Sequence, residues 1–161
     1  MNNDSQSSVQ TIEGNLVVAP GSIAIVASRF NELVVSQLIE GAIDCYCRHG
    51  GERKNLVIIR VPGAFEIPIA CSKLAQSTKY QAIVALGAVI RGSTPHFDYV
   101  ASEVSKGVAQ ESLKWGLPIS FGVLTTDDLE QALERAGSKA GNKGWDAMLG
   151  AIEMVSLLAE L

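Results

Sequence analysis

Along this chain, short blocks of uninterrupted apolar residues alternate with longer stretches in which apolar positions recur at every third or fourth residue. The densest block, Ala82-Ile83-Val84-Ala85-Leu86-Gly87-Ala88-Val89-Ile90, contains several β-branched residues and stops at Arg91-Gly92-Ser93-Thr94-Pro95-His96. Such a run predicts a strand buried on both faces, as in a parallel sheet. Residues 22–27, 56–61 and 119–125 repeat the pattern, and a weaker version over 12–18 predicts a short peripheral strand.

Between the strands the period becomes helical. Over 31–48, Val35, Leu38, Ile39, Ala42, Ile43 and Tyr46 share a face, with Asn31 suited to cap the start and Gly50-Gly51 the end. After Pro62-Gly63-Ala64-Phe65-Glu66, a second helix carries Ile67, Ala70, Cys71, Leu74 and Ala75, with Pro68 in its first turn. A third, over 97–115, uses Val100, Ala101, Val104 and Val108. Asp127 with Glu130 has the form of a capping box opening a short helix to Ala136. The Gly-rich stretch 137–144 then leads into a last helix over 145–161. That helix is apolar on more than one face, through Met148, Ile152, Met154 and Leu157, which predicts packing against another subunit.

Strands alternating with helices imply right-handed crossovers. The expected fold is therefore α/β, a three-layer α/β/α sandwich with a four-stranded parallel sheet plus a short N-terminal strand. With 161 residues, 47% of them hydrophobic, the chain suits one core. The expectation is a flexible polar extension over 1–11 and a single domain over 12–161.

Charge and cysteine content narrow the function classes. A net charge of -4, with 13 Lys and Arg and no dense basic block, points away from nucleic acid. No apolar run reaches membrane-spanning length, and the start of the chain lacks a secretory pattern, so a cytoplasmic protein is expected; a trimmed plant precursor in the plastid stroma would look the same. Cys45, Cys47 and Cys71 are odd in number, and two of them diverge on a helix, so they read as free thiols rather than a disulfide or metal clip.

Candidate chemistry gathers where the strands end. In open parallel sheets ligands sit beyond the carboxyl ends of the strands. There, Gly92, Ser93 and Thr94 offer main-chain amides and hydroxyls to a phosphate, and His96 supplies an imidazole, the side chain that ordinarily titrates near neutrality. A surface role for His96 is the alternative. His49, beside Gly50 at a helix end, suits a structural role. Phe30 and Phe65 suit stacking on a flat heterocycle, while packing on the neighbouring helix remains open for Phe65. Glu66, at a helix start, either serves the helix dipole or accepts hydrogen bonds from a polyol. Arg135, Lys139 and Lys143, in or beside the Gly-rich stretch, are mobile phosphate ligands or solvated charges. Arg91 either faces the site or pairs with Asp98 to hold the loop.

Taken together, Ala27-Ser28-Arg29-Phe30-Asn31, Pro62-Gly63-Ala64-Phe65-Glu66-Ile67-Pro68, Gly92-Ser93-Thr94-Pro95-His96-Phe97 and Gly141-Asn142-Lys143-Gly144 give the chain a strong resemblance to the 6,7-dimethyl-8-ribityllumazine synthase family, from Ile12 to the C-terminus. The resemblance implies condensation of 5-amino-6-ribitylamino-2,4-pyrimidinedione with 3,4-dihydroxy-2-butanone 4-phosphate, the penultimate step of riboflavin formation. Neither metal nor organic cofactor is implied. It further implies that Phe30 stacks on the pyrimidine, and that Ala64, Phe65, Glu66, Ala88, Val89 and Ile90 line the ring and ribityl site. Phe121 would complete the pocket from a neighbouring subunit. Ser93, Thr94 and Arg135 would hold phosphate, with Lys143 as a further candidate, and His96 would be the acid and base. The partners implied are the two small-molecule substrates, a homo-oligomer that is a pentamer or an icosahedral shell of twelve pentamers, and riboflavin synthase. A carrier that has lost turnover, or a cage protein, would keep parts of this pattern. A carrier needs no phosphate site, which weighs against that reading.

Overall fold

The computed structural model describes residues 9–161. Four strands, β1 (Ile23–Ser28), β2 (Leu56–Val61), β3 (Ala82–Ile90) and β4 (Ile119–Thr126), form an all-parallel sheet in the order β2-β1-β3-β4. They alternate with α1 (Glu32–Arg48), α2 (Ile67–Gln76) and α3 (His96–Trp115), and α4 (Leu129–Arg135) and α5 (Lys143–Glu160) follow.

Side-chain parity divides the sheet between two cores. On β1, Ile23, Ile25 and Ala27 face α1, α4 and α5, whereas Ala24 and Val26 face α2 and α3. On β3, Ala82, Val84, Leu86 and Ala88 take the first side and Ile83, Ala85 and Val89 the second. This is the three-layer sandwich, and it explains why β1 and β3 read as continuous apolar runs. Each large side chain buried here, such as Ile25 or Leu86, contributes about 1.5–3 kcal/mol. The chain steps from β1 to β2 in one direction and from β2 through β3 to β4 in the other. Crossovers of uniform hand then require α1 on the face opposite α2 and α3, as found. α1 and α5 pack closely at Gly144, where a β-carbon would overlap the Leu38 carbonyl.

Local expectations fail in several places. Residues 12–18 form no strand; they lie along the helical layer, where Asn15 N–H donates to Ser156 Oγ (2.7 Å) and Val18 N–H to the His49 carbonyl (3.0 Å). Val17 N–H turns inward to Asn15 Oδ1 at 3.0 Å, so the segment follows its own local bonds and two ties to the helical layer rather than a strand ladder. The cap of α4 is Asp128 rather than Asp127: its carboxylate accepts from Gln131 N–H at 2.8 Å, while Gln131 Oε1 accepts from Asp127 N–H at 3.0 Å. α5 begins at Lys143 because Asn142 caps it, accepting from Gly144 and Trp145 N–H at 2.8 and 3.1 Å. Most of the polar extension expected over 1–11, namely 1–8, lies outside the described residues.

Candidate functional site

The point where the strand order reverses lies between β1 and β3, so their carboxyl ends open a crevice. One wall comes from the ends of β1 and β2. Arg29 and Phe30 N–H donate to the Val61 and Pro62 carbonyls at 2.8 and 3.1 Å, so the two strand-end loops run together. Asn31 then adopts a left-handed conformation (φ 60, ψ 44), which asparagine tolerates better than most residues. Its side chain does not cap α1, as its position suggests; Nδ2 donates instead to the Ala88 carbonyl at 2.8 Å. The main-chain carbonyl of Asn31 receives Val34 and Val35 N–H. This tie holds Phe30 at the mouth, 72% exposed, with no core to enter.

Beyond β2, the 3-10 turn Ala64–Glu66 is closed from both sides: Gly63 N–H donates to Glu66 Oε2 at 2.9 Å, and Glu66 N–H to the Gly63 carbonyl at 3.3 Å. Glu66 thus serves its own turn through one oxygen. Its other oxygen has no donor among the described residues and remains available to a ligand hydroxyl. Phe65 is 57% exposed.

The second wall is the loop after β3. Arg91 bridges three groups there: Nε donates to Asp127 Oδ1 (3.1 Å), Nη1 to Asp98 Oδ1 (3.4 Å), and the guanidinium lies over the Phe97 ring at 4.1 Å. The hydrogen bond to Asp127, with a smaller contribution from Asp98, pushes the Arg91 pKa above its ordinary value. Asp98 is therefore directed at Arg91. His96 is the first residue of α3, exposed and without a hydrogen-bond partner among the described residues. His49 differs in every respect: it ends α1, its Nδ1 lies 2.7 Å from the Cys45 carbonyl, and its ring meets Trp145 edge-on at 5.9 Å. The three cysteines are free thiols. Burial pushes Cys45 up to about 11 and Cys71 up to about 12, so neither offers a thiolate near neutrality.

Between the walls lies a cavity of about 530 Å³. Phe30, Ala64, Phe65 and Glu66 line one side, Ala88, Val89 and Ile90 the floor, and Thr94 and His96 the other side. Gly92, Phe97, Tyr99 and Val100 join them. Tyr99 and Val100 follow His96 at helical spacing, so extending that helix face along the sequence would have found them. Asn31, at the end of the strand-end motif 27–31 but expected only as a helix cap, lines the cavity as well.

Four expected site residues lie elsewhere in the same chain. Ser93 is in the loop but does not line the cavity. Phe121, 44% exposed, faces a separate groove with Phe97, Ser102 and Ser105. Arg135 donates to the Gln131 carbonyl at 3.0 Å, and Lys143 to Asp146 at 3.0 Å. An antiparallel bridge between Ala136 and Asn142 brings Arg135 and Lys143 to the two ends of one small loop. Asn142 pins that loop to α1 by donating to the Gln37 and Ala136 carbonyls at 2.9 and 3.1 Å.

Residues 21–159 match the family model described as 6,7-dimethyl-8-ribityllumazine synthase. The chain is 58% identical over 153 residues to the 6,7-dimethyl-8-ribityllumazine synthase of Chloroherpeton thalassium, covering 95% of this chain and 99% of that one. It is 58% identical over 149 residues to the protein of the same name from Chlorobium phaeovibrioides, covering 92% and 96%. For the same-named protein of Chlorobium chlorochromatii the identity is 56% over 153 residues, covering 95% and 99%. With its strand-end cavity and its match to relatives along nearly their whole length, the chain belongs to the 6,7-dimethyl-8-ribityllumazine synthase family.

Proposed function

We propose that the chain catalyses the condensation of 5-amino-6-ribitylamino-2,4-pyrimidinedione with 3,4-dihydroxy-2-butanone 4-phosphate, the penultimate step of riboflavin biosynthesis. The observation that carries this reading is the cavity itself, which sets exposed aromatic rings and a carboxylate on one side against an imidazole and a loop of small residues at a helix start on the other. Phe30 stacks on the pyrimidine, and Ala64, Phe65, Ala88, Val89 and Ile90 enclose the ring and ribityl chain, with Glu66 accepting from ribityl hydroxyls. Ser93 and Thr94, at the start of α3, hold the phosphate, where main-chain N–H groups and the helix dipole favour an anion.

The substrate amine attacks the ketone, and the carbinolamine loses water to give an imine. Phosphate is then eliminated, the ring closes on the second nitrogen, and a second water leaves. Each step moves a proton, and His96 at the cavity wall serves as the acid and base in turn. Much of the rate comes from holding two reactants together.

Phe121, Arg135 and Lys143 act in this reading from a neighbouring copy: Phe121 closes the pocket, while Arg135 and Lys143 meet the phosphate. Exposed apolar side chains on several elements, including Leu33, Val57, Ile58, Ile69, Leu113 and Met154, support a homo-oligomer. That oligomer is a pentamer or an icosahedral shell of twelve pentamers, built from one domain over 12–161 and able to associate with riboflavin synthase. No helix among the described residues is long and apolar enough to cross a membrane. The reading assigns the protein to the cytoplasm, or to the plastid stroma for a trimmed plant precursor. Mixing purified protein with both substrates tests it: lumazine absorbance and inorganic phosphate are expected to appear together, and binding without phosphate release would identify a carrier instead.

A further inference from the structure

None of the roles above uses Arg91, yet it makes more contacts than any other side chain of its loop. Its main-chain N–H donates to the Thr126 carbonyl at 2.9 Å, and its guanidinium reaches both the turn after β4, through Asp127, and the first turn of α3, through Asp98. Gly92, Ser93, Thr94 and Pro95, which separate Arg91 from His96, are all exposed. Among the described residues no hydrogen bond joins 92–94 to the rest of the chain, and a β-carbon on Gly92 would meet nothing within 4 Å. The Arg91 fork therefore closes the loop, joining its first residue to the helix turn that follows it, with the Phe97 ring beneath the guanidinium.

We propose that Arg91 is a positioning residue, whose bridge from Asp127 to Asp98 holds the 92–95 loop in the conformation that receives the phosphate-bearing substrate. The inference rests on the assignment of Ser93 and Thr94 to the phosphate. Exposed ion pairs of this kind add little to global stability. Their consequence here is local. A loop of small residues that is already ordered loses less conformational entropy when an anion binds. A planar fork can meet two carboxylates and a ring face together; a lysine ammonium cannot.

Steady-state kinetics on the purified protein test the proposal. Arg91→Gln is expected to raise KM for the butanone phosphate about tenfold, with kcat and the pyrimidine KM changed by less than about twofold. Arg91→Lys is expected to recover only part of the loss. Asp127→Asn is expected to raise the same KM by about threefold, and Arg91→Gln with Asp127→Asn to be no worse than Arg91→Gln alone, since both break one unit. If Arg91 instead touched the phosphate directly, Asp127→Asn would leave KM unchanged or lower it, and that result overturns the proposal. A fall in kcat at constant KM overturns it as well. Thr94→Val separates this inference from its foundation: unchanged KM in Thr94→Val removes the phosphate loop itself, whereas raised KM there with unaffected Arg91 and Asp127 variants overturns only the role of Arg91. Should Arg91→Gln fail to fold, the exposed Asp127→Asn variant decides the matter by the same criterion.

Discussion

The two walls of the cavity are held by different forces. On the β1 and β2 side, main-chain bonds between adjacent loops, the closed Gly63–Glu66 turn and the Asn31 tie to Ala88 fix the backbone before any ligand arrives. On the β3 side, the loop hangs between a strand and a helix and is fastened by exposed ion pairs from Arg91. On the proposed reading the first wall recognises a flat ring, a task that needs a constant shape, which hydrogen-bonded backbone provides. The second, which on that reading takes an anion and exchanges protons, is built of solvated groups, which salt screens and substitution readily loosens.

The sharpest break in this comparison comes from the polar wall. His96→Ala is expected to slow turnover by about 10²-fold without abolishing it, because positioning of the two substrates survives. A rate near that of the wild type would take His96 out of the mechanism. The same substitution at His49, bonded within α1, is expected to leave kcat unchanged.

The apolar wall is tested next by Asn31→Ala. It places alanine in a left-handed conformation and leaves the Ala88 carbonyl without its donor, at a combined cost of about 2–3 kcal/mol. Thermal unfolding should shift down by several degrees. Asn31→Gly, which relieves the backbone but not the lost bond, should cost less than alanine; equal losses would show that the tie alone matters.

A smaller effect is expected at the residue the structure sets apart from both walls. Arg135→Ala should raise KM for the butanone phosphate by about tenfold, in keeping with loss of a charge-assisted contact. An unchanged KM would count against its role and against the neighbouring copy as its donor.

The smallest effect concerns the interior behind the walls and is absent at neutral pH. Burial lifts Cys71 from its ordinary 9.0 to about 12 and Cys45 to about 11, so in the folded chain both stay protonated where the unfolded chain has released the proton. The stability linked to them is intact below pH 9 and is lost as pH rises through the folded values. Denaturant titrations between pH 8 and 10.5 should show the onset, and Cys71→Ala should flatten it. An unchanged slope in that variant would assign the alkaline loss to other groups.

Much of the fold was legible because its signals are local. The strands over 56–61 and 82–90 coincide with β2 and β3 residue for residue; β3 is a doubly buried apolar run with polar ends, whereas β2 is apolar although Val57 and Ile58 are exposed in the single chain. The helix faces followed from spacing alone. Legibility failed where a side chain had two partners of similar worth. Asn31 could cap α1 or reach Ala88, and Asp127 could cap α4 or pair with Arg91; the second option won in both cases. The 12–18 segment looked like a strand because apolar spacing does not say whether a partner is there: only Val18 packs on the core, while Ile12, Leu16 and Val17 are exposed.

By itself, then, the sequence determined the kinds of element, their order, the two-sided burial of the sheet and the loops that bear aromatic, acidic, hydroxyl and imidazole groups, because each depends on residues close together in the chain. Tertiary structure alone decided that β1 and β3 are neighbours, which opens the cavity between their ends. It also decided that Arg91 meets Asp127, 36 residues away, and that Phe121, Arg135 and Lys143 stand outside the cavity of their own chain. The reason is physical: periodicity states which face of an element avoids water, but the choice of neighbour depends on how whole layers pack.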